Sequence, residues 1–116
     1  MYVEAFCRAE AFDRLAHQWD GLLAHSAVAT PFQRVEFQRA WWAHFGGGDL
    51  CLLTVRHADS LIGLACLYVD EDAVLRWVGG EDIADYLDVI ARPADAPDVR
   101  RAVFDWLAGP DAPDWQ

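Results

Sequence analysis

Lysine is missing altogether: the nine basic residues of this 116-residue chain are all arginine, against nineteen Asp and Glu, for a net charge of -10. A surface this acidic repels phosphate backbones and anionic lipid, and no basic stripe with interleaved aromatics offsets it. Nucleic acid is therefore not an expected partner. The acidity is read first as a solvated acidic surface and only second as suited to a cationic acceptor. Cysteine is sparse, with Cys7, Cys51 and Cys66 giving an odd count and no C-x-x-C spacing. That argues against a disulfide framework and for a reducing, cytoplasmic compartment. No apolar run approaches the roughly 20 residues that span a bilayer, so no membrane span is expected. The start, Met1-Tyr2-Val3-Glu4, lacks the basic and apolar regions of a signal peptide. His17, His25, His44 and His57 are scattered without a Cys or acid at metal-ligand spacing, and Ser26 and Ser60 lie in turns without a nucleophile-elbow pattern. Neither zinc chemistry nor a local nucleophile is supported, and no catalytic residue is assigned.

What is present is apolar. At 54% hydrophobic with six Trp, the chain is far from a disordered composition. Its length sets a limit of one domain, which buries roughly two-thirds of the surface of the unfolded chain. Tyr2–Cys7 reads as a short strand. From Ala9 to His25 the period becomes helical, with Phe12, Leu15, Ala16, Trp19, Leu22 and Leu23 on one stripe. Pro31 breaks that pattern, and a second helix is predicted over Val35–Phe45, ended by Gly46-Gly47-Gly48. Leu50–Arg56 and Leu61–Val69 form two strands around a polar turn. An even loop pairs Arg56 with Leu61, Val55 with Ile62, Leu53 with Leu64 and Cys51 with Cys66, which sets two free thiols side by side. Both faces of this hairpin are apolar, which places it mid-sheet with cover on both sides. Further strands are expected at Ala73–Val78 and Tyr86–Ala91, and a third helix at Asp98–Leu107. Trp115 reads as the first buried residue of a strand that the chain does not contain.

The order is therefore β-α-α-β-β-β-β-α, an α/β (α+β) class with a mixed, mainly antiparallel sheet and helices on both faces. The helix pair followed by a meander, with Leu52-Leu53-Thr54-Val55 and Leu61-Ile62-Gly63-Leu64-Ala65 as its hairpin, resembles the opening half of the GNAT acetyltransferase fold. Trp19-x-x-Leu22-Leu23, Ala29-Thr30-Pro31-Phe32-Gln33, Phe37-x-x-x-Trp41-Trp42-x-x-Phe45, and Val78-Gly79-Gly80 leading to Asp85-Tyr86-Leu87-Asp88 resemble the N-terminal lobe of bacterial Fem-like tandem-GNAT acyltransferases, a group associated with cellulose and exopolysaccharide synthesis. The likeness covers the chain from Trp19 onward. It implies that residues 1–116 are a single partial domain, the acceptor-side lobe of an acyl-CoA-dependent acyltransferase. Its partner would be its own C-terminal GNAT lobe, which would hold the acyl-CoA, and its acceptor a small molecule, a glycan or an amine. The alternative is a GNAT-like scaffold or interaction domain without chemistry.

An active GNAT lobe carries a Gly-rich loop whose backbone N–H groups hold the pyrophosphate. Here the junction reads Ala91-Arg92-Pro93-Ala94-Asp95-Ala96-Pro97, with no glycine and two prolines, so no cofactor is placed in this chain. The candidate substrate-binding residues are Gln33, Trp42, Asp85, Tyr86 and Asp88. Asp85 sits at a loop–strand junction, and Tyr86 and Asp88 share a strand face. They read as acceptor-binding groups, or as a structural aspartate beside a core tyrosine. Trp42 points about 100° from Trp41 on its helix and reads as a stacking surface, or as packing for a second lobe. Gln33 reads as a donor to substrate, or as part of a local cap and hydrophobic staple. Glu81, Asp82, Asp85 and Asp88 lack calcium-loop spacing, so no metal is expected.

Overall fold

The structure is a computed structural model that describes residues 1–26, 31–80 and 88–115. Its elements are β1 (Tyr2–Phe6), α1 (Glu10–Leu23), a 3-10 turn (Pro31–Gln33), α2 (Val35–Phe45), β2 (Gly48–His57), β3 (Ser60–Asp70), β4 (Leu75–Trp77), β5 (Ile90–Ala91) and α3 (Ala96–Leu107). The class is the expected one. β1, β2 and β3 pair in that order, and β4 and β5 both pair with β3, every pair antiparallel. No described helix is long and apolar enough to cross a membrane.

The two-sided apolar hairpin sits mid-sheet because each face has its own helical cover. On one face Phe12, Leu15, Trp19 and Leu22 of α1, with Val35 of α2, pack on Leu50, Leu52, Leu64, Cys66 and Tyr68. On the other, Val99, Val103 and Leu107 of α3 pack on Cys51, Leu53, Val55, Ala65 and Leu67. Each fully buried Leu, Val or Phe contributes about 1.5–3 kcal/mol of transfer free energy. Gly63 sets the close approach of α3 to β3: a Cβ there would lie 2.4 Å from Val99 Cγ1.

The hairpin register differs from the expected one. His57 pairs with Ser60 and Arg56 with Leu61 across a turn in which Ala58 takes the left-handed conformation (φ 48°). A bulge then skips Ile62, so that Val55 pairs with Gly63, Leu53 with Ala65, and Leu52 with Cys66. Inserting one residue in one strand moves every later side chain of that strand to the opposite face. Cys66 therefore lies in the α1/α2 core while Cys51, opposite Leu67, lies in the α3 core.

Two further expectations are corrected. The strand expected at Tyr86–Ala91 forms only at Ile90–Ala91 among the described residues, because the Asp88 carboxylate takes the Val89 N–H (2.7 Å) that a ladder would use. Trp115, expected to be buried, is 38% exposed, and its indole donates to the Leu107 carbonyl at the end of α3 (2.9 Å).

Candidate functional site

β4 and β5 are two parts of one line along the edge of β3, broken in the middle. Trp77 pairs with Leu67 and Val78 N–H donates to the Cys66 carbonyl (3.0 Å), while Ile90 already pairs with Leu64. Val78 and Ile90 are thus the described residues that meet β3 on either side of Ala65, and β3 advances by that one residue between them. Gly79 (φ 128°) and Gly80 (φ 95°) make the exit, in a region that side-chain-bearing residues seldom enter. Trp41 covers Gly80 so closely that a Cβ there would meet the indole Nε1 at 3.3 Å.

Both ends of the break are tied to the helix-pair layer by buried glutamines. Trp19, fully buried in α1, donates its indole N–H to the Gln33 carbonyl (2.8 Å), which fixes the 3-10 turn before α2. The Gln33 side chain then donates to the Asp88 carbonyl (3.0 Å). Gln38, one turn into α2, donates to the carbonyls of Phe32 (2.7 Å) and Val78 (3.0 Å). Each glutamine is 2% exposed, and each keeps a buried Oε1 without a hydrogen-bond partner. The opposite amide orientation would set oxygen against carbonyl oxygen, so it is the acceptors that are left over. An unpaired buried acceptor costs about 1–3 kcal/mol.

The face of α2 that carries Gln38 continues through Trp41 and Trp42 to the exposed Phe45. The Trp41 and Trp42 rings sit 5.6 and 5.4 Å from the Tyr68 ring, and Phe45, 70% exposed, extends from Trp41 at 5.8 Å. On the other face of the sheet, Arg100 of α3 grips the Asp88 carboxylate with two hydrogen bonds, at 2.8 and 3.3 Å. That partnership raises the Arg100 pKa further above its ordinary value, first through the hydrogen bond and then through charge. Beside it a groove of about 270 Å³ opens between β4 and α3, floored by Leu67, Leu75, Trp77 and Val103, with Phe104 67% exposed at its mouth.

Of the expected site residues, Gln33 lies at the break, but as a buried strut whose amide hydrogen already serves Asp88. Trp42 packs edge-on against Tyr68 and so belongs partly to this chain's own core. Asp88 is also at the break, with its carboxylate turned to Arg100 and the Val89 amide. Asp85 and Tyr86 lie outside the described residues. Gln38, Trp41 and Arg100 were not singled out from the sequence. Gln38 had a visible signal, a polar side chain three and four residues before two tryptophans on one helical face. Arg100 had none, because its partner is distant in sequence.

The buried thiols offer no nucleophile. Burial, with a smaller contribution from Cys7, pushes Cys51 up to about 11, and burial pushes Cys66 well above its ordinary range. A thiol held protonated neither attacks nor ligates. At the start of α3, the Asp95 and Ala96 amides both donate to the Arg92 carbonyl (2.9 Å) and Pro97 has no N–H. No protein-family model, curated protein or solved structure matches the chain.

Proposed function

We propose that this chain is the acceptor-side lobe of an acyl-CoA-dependent acyltransferase of GNAT type, working with a second lobe that holds the acyl-CoA. The observation that carries this reading is the break in the β4–β5 line. It lies on the outer line of the sheet beside the helix pair, held from one face by Gln33 and Gln38 and from the other by Arg100 through Asp88. Junctions where two strand ends meet a helix pair gather binding groups. The start of α3 supports the same division. With two of its amides already used, proline at the next position, and Asp95 and Asp98 adjacent, it offers a pyrophosphate little and repels its charge.

In the reaction, the lone pair of an acceptor hydroxyl or amine forms a bond to the thioester carbonyl carbon. The tetrahedral oxyanion collapses, the C–S bond breaks, and the sulfur leaves with its electron pair to be protonated as the free thiol. The nucleophile's proton goes to a general base. This lobe contributes acceptor binding; the base and the oxyanion donors belong to the acyl-CoA side. A non-catalytic scaffold is the second reading, favoured by the pairing of Asp88 with Arg100, which occupies the carboxylate at the break.

Thiol release from acetyl-CoA, measured on the polypeptide as its gene encodes it across a panel of acceptors, tests the proposal. Release should require an acceptor, and Trp42→Ala should raise the acceptor KM while leaving the acetyl-CoA KM unchanged. A raised acetyl-CoA KM instead would place the donor here and overturn the division of labour. Complete absence of release from the folded polypeptide would favour the scaffold.

A further inference from the structure

Cys7 and Cys51 are neighbours across the β1–β2 ladder. Tyr2 pairs with Arg56 and Phe6 with Leu52, so one further step along the same register sets Cys7 opposite Cys51. The alternation of faces agrees. Val3, on the same side of β1 as Ala5 and Cys7, packs into the α3 core that holds Cys51, whereas Phe6 packs into the α1 core. The electrostatics agree as well: after burial, the neighbouring charge of Cys7 is what raises the Cys51 pKa. Facing residues of an antiparallel pair have Cα atoms about 4.5–5.5 Å apart, inside the roughly 4.4–6.8 Å that a disulfide accepts.

The pair is asymmetric. Cys7 lies just past the end of β1 and is exposed, while Cys51 is 4% exposed. Cys7 shares a recess of about 270 Å³ with Arg8, Glu10 and Arg14. Arg8 reaches Glu10 only at 3.9 Å, and Arg14 has no ion pair among the described residues. Two cations beside an exposed thiol, in a chain of net charge -10, make this the place where an anionic reagent is repelled least. Cys66 has no such position, since it lies in the core on the other face of the sheet.

We propose that Cys7 and Cys51 are a redox-responsive pair that closes to a cross-strand disulfide, with the disulfide of a small anionic thiol as the oxidant. The Cys7 sulfur, as thiolate, attacks one sulfur of the oxidant. The S–S bond of the oxidant breaks, and the departing thiolate takes up a proton. Cys51 then gives its proton to solvent, and its sulfur attacks Cys7 in the mixed disulfide and expels the second small thiolate, which is protonated in turn. Two protein thiols and one oxidant disulfide become one protein disulfide and two free thiols. The second step is the slower, because Cys51 is buried and attacks only through its rare thiolate form. The chain between the two sulfurs carries α1, the 3-10 turn and α2, so the bond ties the helix-pair layer to the sheet at the root of α1. The proposal stands apart from acyl transfer.

Incubation of the folded, reduced chain with glutathione disulfide, followed by intact mass and by mapping of linked peptides, tests it. One glutathione should first be gained at Cys7. It should then be lost as a Cys7–Cys51 link forms, while Cys66 stays a free thiol. Cys7→Ser, at an exposed position, should gain no glutathione while folded. Arg14→Gln, also exposed, should slow the first step with glutathione disulfide about 2–3-fold and leave the rate with neutral hydroxyethyl disulfide unchanged. The oxidised chain should unfold about 10 °C or more above the reduced one, since the bond closes a long loop, and a reducing thiol should restore the lower midpoint. A mixed disulfide that persists at Cys7 with Cys51 free, a link from Cys7 to Cys66, or no reaction of the folded chain overturns the proposal. So does a Cys7–Cys51 link that lowers the unfolding midpoint. An equal effect of Arg14→Gln on both reagents overturns the choice of an anionic oxidant.

Discussion

Gln38 spends both hydrogens of its amide on the carbonyls of Phe32 and Val78, so it joins the start of α2 to the last paired residue before the break. Leucine at this position would fill the space and strand both carbonyls. Gln38→Leu should cost about 1–3 kcal/mol in denaturant unfolding, and hydrogen exchange at Val78 and its neighbours should speed up more than exchange in β2. Asp70 shows the other kind of residue-scale tie. Its carboxylate accepts from Arg76 and from the Val74 and Asp72 amides, which lowers its pKa below the ordinary 3.8, with Arg76 the leading cause. A carboxyl lowered in the folded state contributes stability that is complete above its unfolded value and lost as pH falls through the folded value. The wild type should therefore lose stability on acidification below about pH 4, and Asp70→Asn should lose less over the same window while being less stable at pH 7. Denaturant midpoints at pH 7 and pH 3 compare the two directly. The effect is a small one, since the pair faces solvent and is screened.

Elements were legible in the sequence wherever a period ran long. α2 begins and ends at the residues its apolar spacing and the following glycines predict, and the hairpin strands sit where their two-sided apolar runs place them. Register was not legible, because a bulge depends on local backbone geometry and Ile62 is as apolar as its neighbours. The two cysteines expose the difference: side by side without the bulge, they sit on opposite faces of the sheet with it. Native-state alkylation should label Cys7, which is exposed, and spare Cys51 and Cys66 until the chain unfolds. Mild oxidation should give no Cys51–Cys66 disulfide; formation of that bond in the folded chain would restore the unbulged register. Packing of α3 on β3 carries a second test. Gly63→Ala drives a Cβ into Val99, whose branched side chain is fully buried and has little room to yield. Overpacking of this kind costs about 1–3 kcal/mol, and Val99→Ala in the same chain should recover part of the loss.

At the scale of the whole molecule, what a single sequence conveyed was architecture, and what it concealed was pairing at a distance. A mainly antiparallel sheet with helices on both faces followed from periodicity and from two-sided burial. The candidate site was legible only in outline. Gln33, Trp42 and Asp88 lie around one break in the sheet, but Gln33 and Asp88 are joined by a bond across 55 residues. Asp88 is also claimed by an arginine on another element. No local pattern reports such ties.

The division of labour between an acceptor lobe and a donor lobe turns on one property of this chain: whether it holds acyl-CoA by itself. Calorimetric titration of the chain with acetyl-CoA tests that most directly. The arrangement at Arg92–Asp98, with spent amides, proline and two aspartates, predicts no heat of binding into the millimolar range, and no change on replacing Asp95 or Asp98 by Asn. A micromolar dissociation constant would mean roughly 8 kcal/mol of binding free energy from a lobe held to contain no seat for the donor, and would contradict the account.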